Sequence, residues 1–288
     1  MTPAAKVLVL GVTGMLGNAV FRLLDATPGI EVSGSARSSA SLRLFDQTSR
    51  SRIVAGIDVE NVDQLARLLD FTRPDVVVNC IGLIKQLSDA KDPLAALPIN
   101  AILPHRLARL ASLAGARLVH ISTDCVFAGT RGHYLETDVP DALDLYGRSK
   151  LLGEVDYPNA LTLRTSIIGH ELGSANGLIG WFLAQEGAVR GFTRAVFSGL
   201  PTVELARVIR DHVLPNPAMR GLYHVSAAPI DKHALLQLVA RQYGKSIEIR
   251  PDDTLQIDRS LDSTRFRSET GYSPPEWPEL VRRMWEFG

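Results

Sequence analysis

The sequence predicts an α/β fold: a Rossmann-type doubly wound parallel sheet with a smaller C-terminal substrate-binding lobe. Three observations carry that reading. An apolar run enters a glycine-rich turn and an amphipathic segment near the start. Candidate strands and helices alternate through residue 165. Beyond that point the alternation breaks down.

Val7-Leu8-Val9-Leu10 reads as a strand buried on both faces. Gly11-Val12-Thr13-Gly14-Met15-Leu16-Gly17 then turns the chain, and Leu16, Val20, Leu23 and Leu24 recur at helical spacing over 15–26. Strand, glycine turn and helix in succession are what a dinucleotide fingerprint requires. Gly11 permits the tight turn, Gly14 lets backbone approach a pyrophosphate, and Gly17 allows close helix–strand packing. The helix amino terminus offers N–H groups and a positive dipole to phosphates. The spacing is G-x-x-G-x-x-G, not the commoner G-x-G-x-x-G, so a plain glycine-rich turn is the alternative.

Further strands are expected at 31–35, 53–56, 75–80, 117–122 and 160–165, with helices at 62–71, 102–114 and 146–155. Such alternation implies a parallel sheet covered by helices on both faces, right-handed crossovers, and the glycine turn at the topological switch point. Later elements are a short helix at 176–186, a loop-rich stretch to 201, a helix at 203–213, a strand at 221–226, a helix at 231–243, a short strand at 246–249 and a last helix near 278–287. The expected division is a nucleotide-binding domain over 1–168 and a mainly substrate-binding lobe over 169–288. Segment 203–226 is the part expected to return to the first domain.

Composition narrows the function. The chain has 288 residues, 45% of them hydrophobic, which is ample for a core. Its 31 basic and 31 acidic residues cancel, so nothing points to nucleic acid or an anionic membrane as partner. No apolar run approaches a membrane span, and the start lacks the marks of a signal peptide, so a cytoplasmic location is expected. Cys80 and Cys125 are too few for a disulfide framework and read as small buried hydrophobes. No Cys/His cluster has ligand spacing, so no metal is expected. There is no internal repeat.

The chemistry-bearing run is Tyr146-Gly147-Arg148-Ser149-Lys150. Spacing of four puts the phenol and the ammonium on one helix face. A nearby cation lowers a tyrosine pKa, and such a phenol exchanges a proton near neutral pH. Upstream, the apolar strand Val119-His120-Ile121 ends in Ser122 and Thr123. In an open parallel sheet ligands sit beyond such strand ends, where the glycine turn also points. Each signal is weak by itself, since Tyr-x-x-x-Lys occurs on solvated helices and Ser-Thr begins many loops. In this order they reinforce one another.

On these stretches, and on 74–80, 122–127, 146–154 and 163–166, the chain resembles the extended short-chain dehydrogenase/reductases. Within them it is most similar to the dTDP-4-dehydrorhamnose reductase group of nucleotide-sugar reductases. The resemblance is specific over 6–168 and diffuse beyond. It implies that Tyr146 protonates the sugar oxygen, that Lys150 holds the nicotinamide ribose and lowers the tyrosine pKa, and that Thr123 hydrogen-bonds the reacting carbonyl. It implies further cofactor contacts from Gly11, Thr13, Gly14, Met15, Leu16, Gly17, Asn79, Cys80, Gly82, Asn100 and Thr165, with Asp58 near the adenine. The alternatives are a helix cap for Asn100 and a loop acid capping the next helix for Asp58.

Charge argues for the cofactor. The second strand ends Ser35-Ala36-Arg37-Ser38-Ser39, with no acid until Asp46. Arg37 and Ser38 suit a ribose 2′-phosphate, so NADPH is expected, with NADH as the alternative. The superfamily's dehydratases carry Asp then Glu after the threonine. Here the order is Thr123-Asp124-Cys125, so elimination is not expected. The resemblance thus implies reduction of a 4-keto group on a nucleotide-activated 6-deoxy sugar, in polysaccharide biosynthesis. A 4-epimerase and a non-catalytic NADP-binding regulatory subunit are the alternatives. Asp124, Asn176, Trp181, Phe192 and Arg194 are the substrate candidates, with Arg259 and Arg265 as further phosphate ligands. A homodimer pairing near Tyr146 and Ile102 is expected from the family.

Overall fold

A computed structural model describes residues 5–84 and 91–288. In chain order the elements are β1 (Ala5–Leu10), α1 (Met15–Asp25), β2 (Ile30–Ala36), α2 (Gln47–Arg50), β3 (Ile53–Ala55), α3 (Val62–Thr72), β4 (Val76–Asn79), α4 (Pro93–Ala96), α5 (Leu103–Leu113), β5 (Arg117–Thr123), α6 (Leu145–Leu152), β6 (Ala160–Thr165) and β7 (Ile167–Ile168). There follow α7 (Leu178–Leu183), β8 (Ala188–Phe192), β9 (Ala195–Phe197), β10 (Leu200–Pro201), α8 (Thr202–Val208), β11 (Gly221–His224), β12 (Ile230–Asp231), α9 (Lys232–Gln242), β13 (Glu248–Asp252), β14 (Ile257–Asp258), α10 (Thr264–Thr270) and α11 (Trp277–Phe287).

The main sheet has the order β11-β6-β5-β4-β1-β2-β3. Every pairing in it is parallel. Strand β1 pairs with β2 on one side and β4 on the other, with Leu10 opposite both Ser35 and Asn79. The winding reverses there, so the glycine turn after Leu10 sits at the switch point, as the sequence predicts. Side-chain alternation along β1 divides the core in two. Val7 and Val9 face the layer that includes Val20, Phe21, Leu205 and Leu280. Leu8 and Leu10 face the layer of Leu65, Leu69, Leu103 and Leu107. The doubly wound α/β fold is therefore as expected.

Strand β11 extends the sheet beyond β6, pairing Gly221 with Leu161 through His224 with Arg164. Helix α8 continues as a π-helical turn over Ile209–Val213 and packs on α1.

Two expectations need correction. The helix foreseen at 102–114 begins at Pro93 and runs through a π-helical turn, Leu97–Ile102, before α5. Pro98 and Pro104 read as breakers in the sequence because neither donates an N–H. The wide turn absorbs them, with the Leu103 N–H bonding the Pro98 carbonyl. Asn100 lies inside this turn and caps nothing; Asp92 is the cap, accepting from Leu94 N at 2.9 Å.

The stretch read as loop-rich up to 201 instead holds β8, β9 and β10. Strand β8 pairs with β13, and β9 lies between β12 and β14. Strands of two to five residues give little local signal; the partners of β8 and β9 lie 33 to 62 residues downstream, and that of β10 is β7, 33 residues upstream. Among the described residues, no helix is long and apolar enough to cross a membrane.

Candidate active site

The glycines of the first turn have separate steric reasons. Gly11 has φ +82, and a Cβ there would meet Ile81 Cγ1 at 2.8 Å. A Cβ on Gly17 would lie 2.1 Å from the Gly11 carbonyl oxygen, so only glycine lets α1 sit this close to the turn. Gly14 is the N-cap of α1 and no side chain caps that end. The first N–H groups of α1 are left for an anion.

Thr13, Gly14, Met15 and Leu16 form one end of a cleft of about 590 Å³. Its floor continues through Cys80 and Gly82 after β4, Ser122 to Cys125 at the end of β5, and Thr165 to Ile168 after β6. Tyr146 and Lys150 of α6 face it, and Phe197, Lys232, Ile257 and Arg259 close the far wall.

Two glycines bring α6 to the sheet edge. A Cβ on Gly147 would stand 2.3 Å from the Cys125 carbonyl oxygen, and one on Gly153 would stand 2.0 Å from that of Asn100. Asp144 caps the helix, accepting from Gly147 N at 2.9 Å. This seating places the Tyr146 phenol against the Thr123 hydroxyl. Thr123 Oγ1 also donates to Asp124 Oδ1 at 3.2 Å and accepts from Cys125 N at 3.1 Å. Lys150 is buried, and its Nζ donates to the Ile121 carbonyl at 2.8 Å.

The electrostatics correct one expectation. Burial pushes the Tyr146 phenol well above its ordinary pKa, and the Thr123 hydrogen bond only partly offsets this. The lowering expected from Lys150 is not seen: desolvation of the phenolate leads, and the charges of Asp124 and Asp144 add to it. The phenol stays protonated through neutral pH, which is the form a proton donor needs. Burial also brings Lys150 down to about 8, with Glu154 opposing the shift. Glu154 takes Arg164 in a bidentate pair at 2.6 Å and accepts from Ser122 Oγ at 2.6 Å. That pair is almost fully enclosed and fixes the end of α6 against β6.

Other sequence-selected residues support the wall without lining the cleft. Asn79 is fully buried; its Oδ1 accepts from Ile81 N at 3.1 Å and its Nδ2 meets His120 Nδ1 at 3.1 Å. Asn100 is equally buried, accepting from Leu83 N at 2.9 Å and donating to Ser149 Oγ at 3.1 Å. Together they shape the 81–83 strip and tie it to α6. Arg37 and Ser38 lie exposed just past β2, with Ser38 Oγ accepting from Ala40 N at 3.2 Å. Asp58 is an exposed loop acid accepting from Glu60 N at 3.0 Å, while Asn61 caps α3.

Four substrate candidates fall outside the lining. Asn176 and Arg194 are exposed, and Trp181 sits on α7 at 39% exposure. Phe192 ends β8, with the Arg190 guanidinium 5.7 Å from its ring centroid. Arg194 lies in the turn before β9, whereas Asn176 and Trp181 belong to the segment around α7. Arg265 is also elsewhere, 4.2 Å from the Tyr223 ring centroid and paired with Glu269. Arg259 does reach the cleft.

Sequence reasoning missed Lys232 and Phe197. The Lys232 Nζ stands 4.2 Å from the Phe197 ring centroid. Arg259 donates from Nε to the Phe127 carbonyl at 2.8 Å and from Nη1 toward Cys125 Sγ at 3.7 Å. Asp124 is buried beside them, and desolvation raises its pKa against the pull of Arg259 and Lys232. Burial pushes the Cys80 and Cys125 thiols to about 12, so both are inert at neutral pH. Among the described residues no His, Cys, Asp and Glu cluster could hold a metal ion.

The residues present fit a dinucleotide. Gly11 and Gly17 have no room for a side chain, and the open α1 terminus faces the cleft that holds Tyr146 and Lys150.

Comparison with known proteins agrees with this geometry. The family model for the RmlD substrate binding domain matches residues 5–286, and the chain belongs to that family. It is 35% identical to methionine adenosyltransferase 2 subunit beta of Mus musculus, over 98% of this chain and 90% of that protein. It is 33% identical to a probable low-salt glycan biosynthesis reductase of Haloferax volcanii, over 60% of this chain and 57% of that one. The crystal structure of dTDP-4-dehydrorhamnose reductase from Bacillus anthracis in complex with NADP has the same fold. It superposes with a TM-score of 0.80 at 21% identity, over 98% of this chain and 99% of that one.

Proposed function

We propose that this member of the RmlD substrate binding domain family reduces the 4-keto group of a nucleotide-activated 6-deoxy sugar. NADPH is the expected donor and NADH the alternative. The observation that carries the reading is the meeting of Thr123, Tyr146 and Lys150 in the same cleft as the glycine turn.

The turn 11–17 and the α1 terminus would hold the cofactor diphosphate, and Arg37 with Ser38 would take a 2′-phosphate. Bound reduced nicotinamide supplies the hydride. The remaining work falls to the protein. Tyr146 keeps its proton until a carbonyl oxygen gains charge beside it, then donates it. The Thr123 hydroxyl, held by Asp124 and Cys125 N, orients that oxygen against the phenol. Lys150, fixed on the Ile121 carbonyl, would hold the nicotinamide ribose. Cys125 stands where the superfamily's dehydratases carry a second carboxylate, so elimination is not expected.

The test is loss of reduced-nicotinamide absorbance with a panel of nucleoside-diphosphate 4-keto-6-deoxy sugars. Oxidation in proportion to added ketosugar supports the reading; silence with every sugar sinks it. Turnover without net oxidation would instead indicate a 4-epimerase.

A second reading follows from the mouse relative, which is named as an enzyme subunit and matches along nearly the whole chain. Under it, the chain is an NADP-binding regulatory subunit. That reading gains if the protein never oxidises NADPH yet binds a methionine adenosyltransferase. We further expect a cytoplasmic protein that pairs with a second copy through the helical face bearing Ile102 and Leu152, which are 44% and 61% exposed.

A further inference from the structure

We propose that Glu154 is a positioning residue of the proton-transfer site: clamped by Arg164 and Ser122, its carboxylate keeps the Lys150 ammonium charged in its seat on the Ile121 carbonyl. The part in proton transfer rests on the reductase reading; the clamp itself rests on the end of α6 and the strands it meets.

Glu154 follows Lys150 by four positions, just past the end of α6. The chain closes there with the Gly153 N–H on the Lys150 carbonyl and the Glu154 N–H on that of Leu151, both at 3.1 Å. The two side chains end on neighbouring residues of β5. Lys150 Nζ donates to the Ile121 carbonyl at 2.8 Å, and Ser122 Oγ donates to Glu154 Oε1 at 2.6 Å. An ammonium and a carboxylate are thus tied to one strand end, the one that also presents Thr123 to Tyr146.

The carboxylate is not free to turn away. Arg164 donates Nε to Oε1 and Nη2 to Oε2, each at 2.6 Å. Its guanidinium is itself held by His224 Nε2 at 3.3 Å and lies 5.3 Å from the Phe127 ring centroid. A buried ion pair is weak grounds for stability, because desolvation offsets much of the Coulomb gain. What this pair does supply is a fixed negative charge beside Lys150.

The other groups facing Lys150 offer no such charge. They are Cys80 after β4, His120 on β5 and Tyr146 on the same helix. Burial keeps the thiol and the phenol protonated and the imidazole neutral. Further out, Asp124 and Asp144 act on Tyr146, and His105 of α5 acts on His120. Among the described residues, Glu154 is the carboxylate that opposes the desolvation of Lys150.

The experiment titrates the full chain, with carbon-13-labelled lysine, by NMR through the alkaline range. The chain has six lysines, and K150M assigns the Lys150 signal. Wild type should titrate near pH 8. E154Q should bring the midpoint down by about 1 pH unit or more, and the alkaline fall of kcat/KM should begin correspondingly earlier. R164M breaks the same ion pair but leaves the carboxylate, so its midpoint should stay at or above that of wild type. A merely structural pair would move both variants alike or neither. Should E154Q fail to fold, E154D carries the test: its shorter side chain draws the charge back from Ser122, and its midpoint should also fall. An unmoved midpoint in the folded Glu154 variant, or an equal fall in R164M, overturns the inference. If the midpoint falls while wild type reduces no ketosugar, the clamp stands and the reductase reading falls. If wild type reduces ketosugar and the midpoint does not move, the reductase reading stands and the clamp falls.

Discussion

The wall of the cleft formed by the first 165 residues and the wall facing it are assembled differently. The first is built from consecutive residues: a glycine turn, a strand end at 121–125 and one face of α6. The second gathers Phe197 from β9, Lys232 from the start of α9, and Ile257 and Arg259 from β14 and the residue just beyond it. Their lysines differ in the same way. Lys150 is anchored on a carbonyl and has Glu154 behind it, whereas Lys232 rests on an aromatic ring. In the proposed reaction the first wall positions groups for one proton transfer, while the second contributes one lysine and one arginine to the lining. Chemistry that depends on backbone approach leaves a local signature, while recognition by converging side chains does not.

That contrast can be broken in four places. The largest effect is expected from Tyr146→Phe, which should lower kcat/KM by about 10²–10⁴-fold while NADPH binding stays intact. Parallel loss of both would mean that the phenol holds the cofactor instead of delivering a proton. Next is Arg164→Met, which leaves the Glu154 carboxylate enclosed without its partner. Denaturant titration should show about 3–5 kcal/mol of lost stability. A loss below about 1 kcal/mol would make the pair incidental to the first wall.

Gly17→Ala should cost about 1–3 kcal/mol and weaken NADPH binding, because its Cβ meets the Gly11 carbonyl. A variant with normal cofactor affinity would remove the steric reason for the turn. The smallest effect is with pH. Lys150 loses its proton as pH rises through about 8, so kcat/KM should be level below that point and fall above it. Tyr146 adds no limb in this range, since its pKa lies higher still. A profile level to pH 9 would show that the Lys150 charge is not required.

Much of the first wall was legible. The order of the strands, the switch point and the separate roles of Gly11, Gly14 and Gly17 follow from apolar runs and steric limits. The tyrosine pKa was misjudged because sequence spacing reports the cation four residues away but not the desolvation around the phenol. Of the two readings of Asn100, the cap fails: it lies inside a π-helical turn and is tied to Leu83 and Ser149. On the far wall, Phe192 and Arg194 looked suitable by chemistry alone. Phe192 ends β8 and Arg194 sits in the turn before β9, and neither lines the cleft, a placement set by strand partners far along the chain. Lys232 has no motif at all; it follows a capping aspartate at the start of an ordinary helix.

The seventh strand of the main sheet has a consequence for biogenesis. Its residues are made nearly 60 positions after those of β6, against which it lies. While the ribosome is still synthesising that interval, β6 exposes a bare margin of unpaired amides, open to strands of other nascent chains. Completion of the sheet must therefore wait until His224 has left the exit tunnel. A chain stalled before that point should be prone to aggregation and dependent on chaperones.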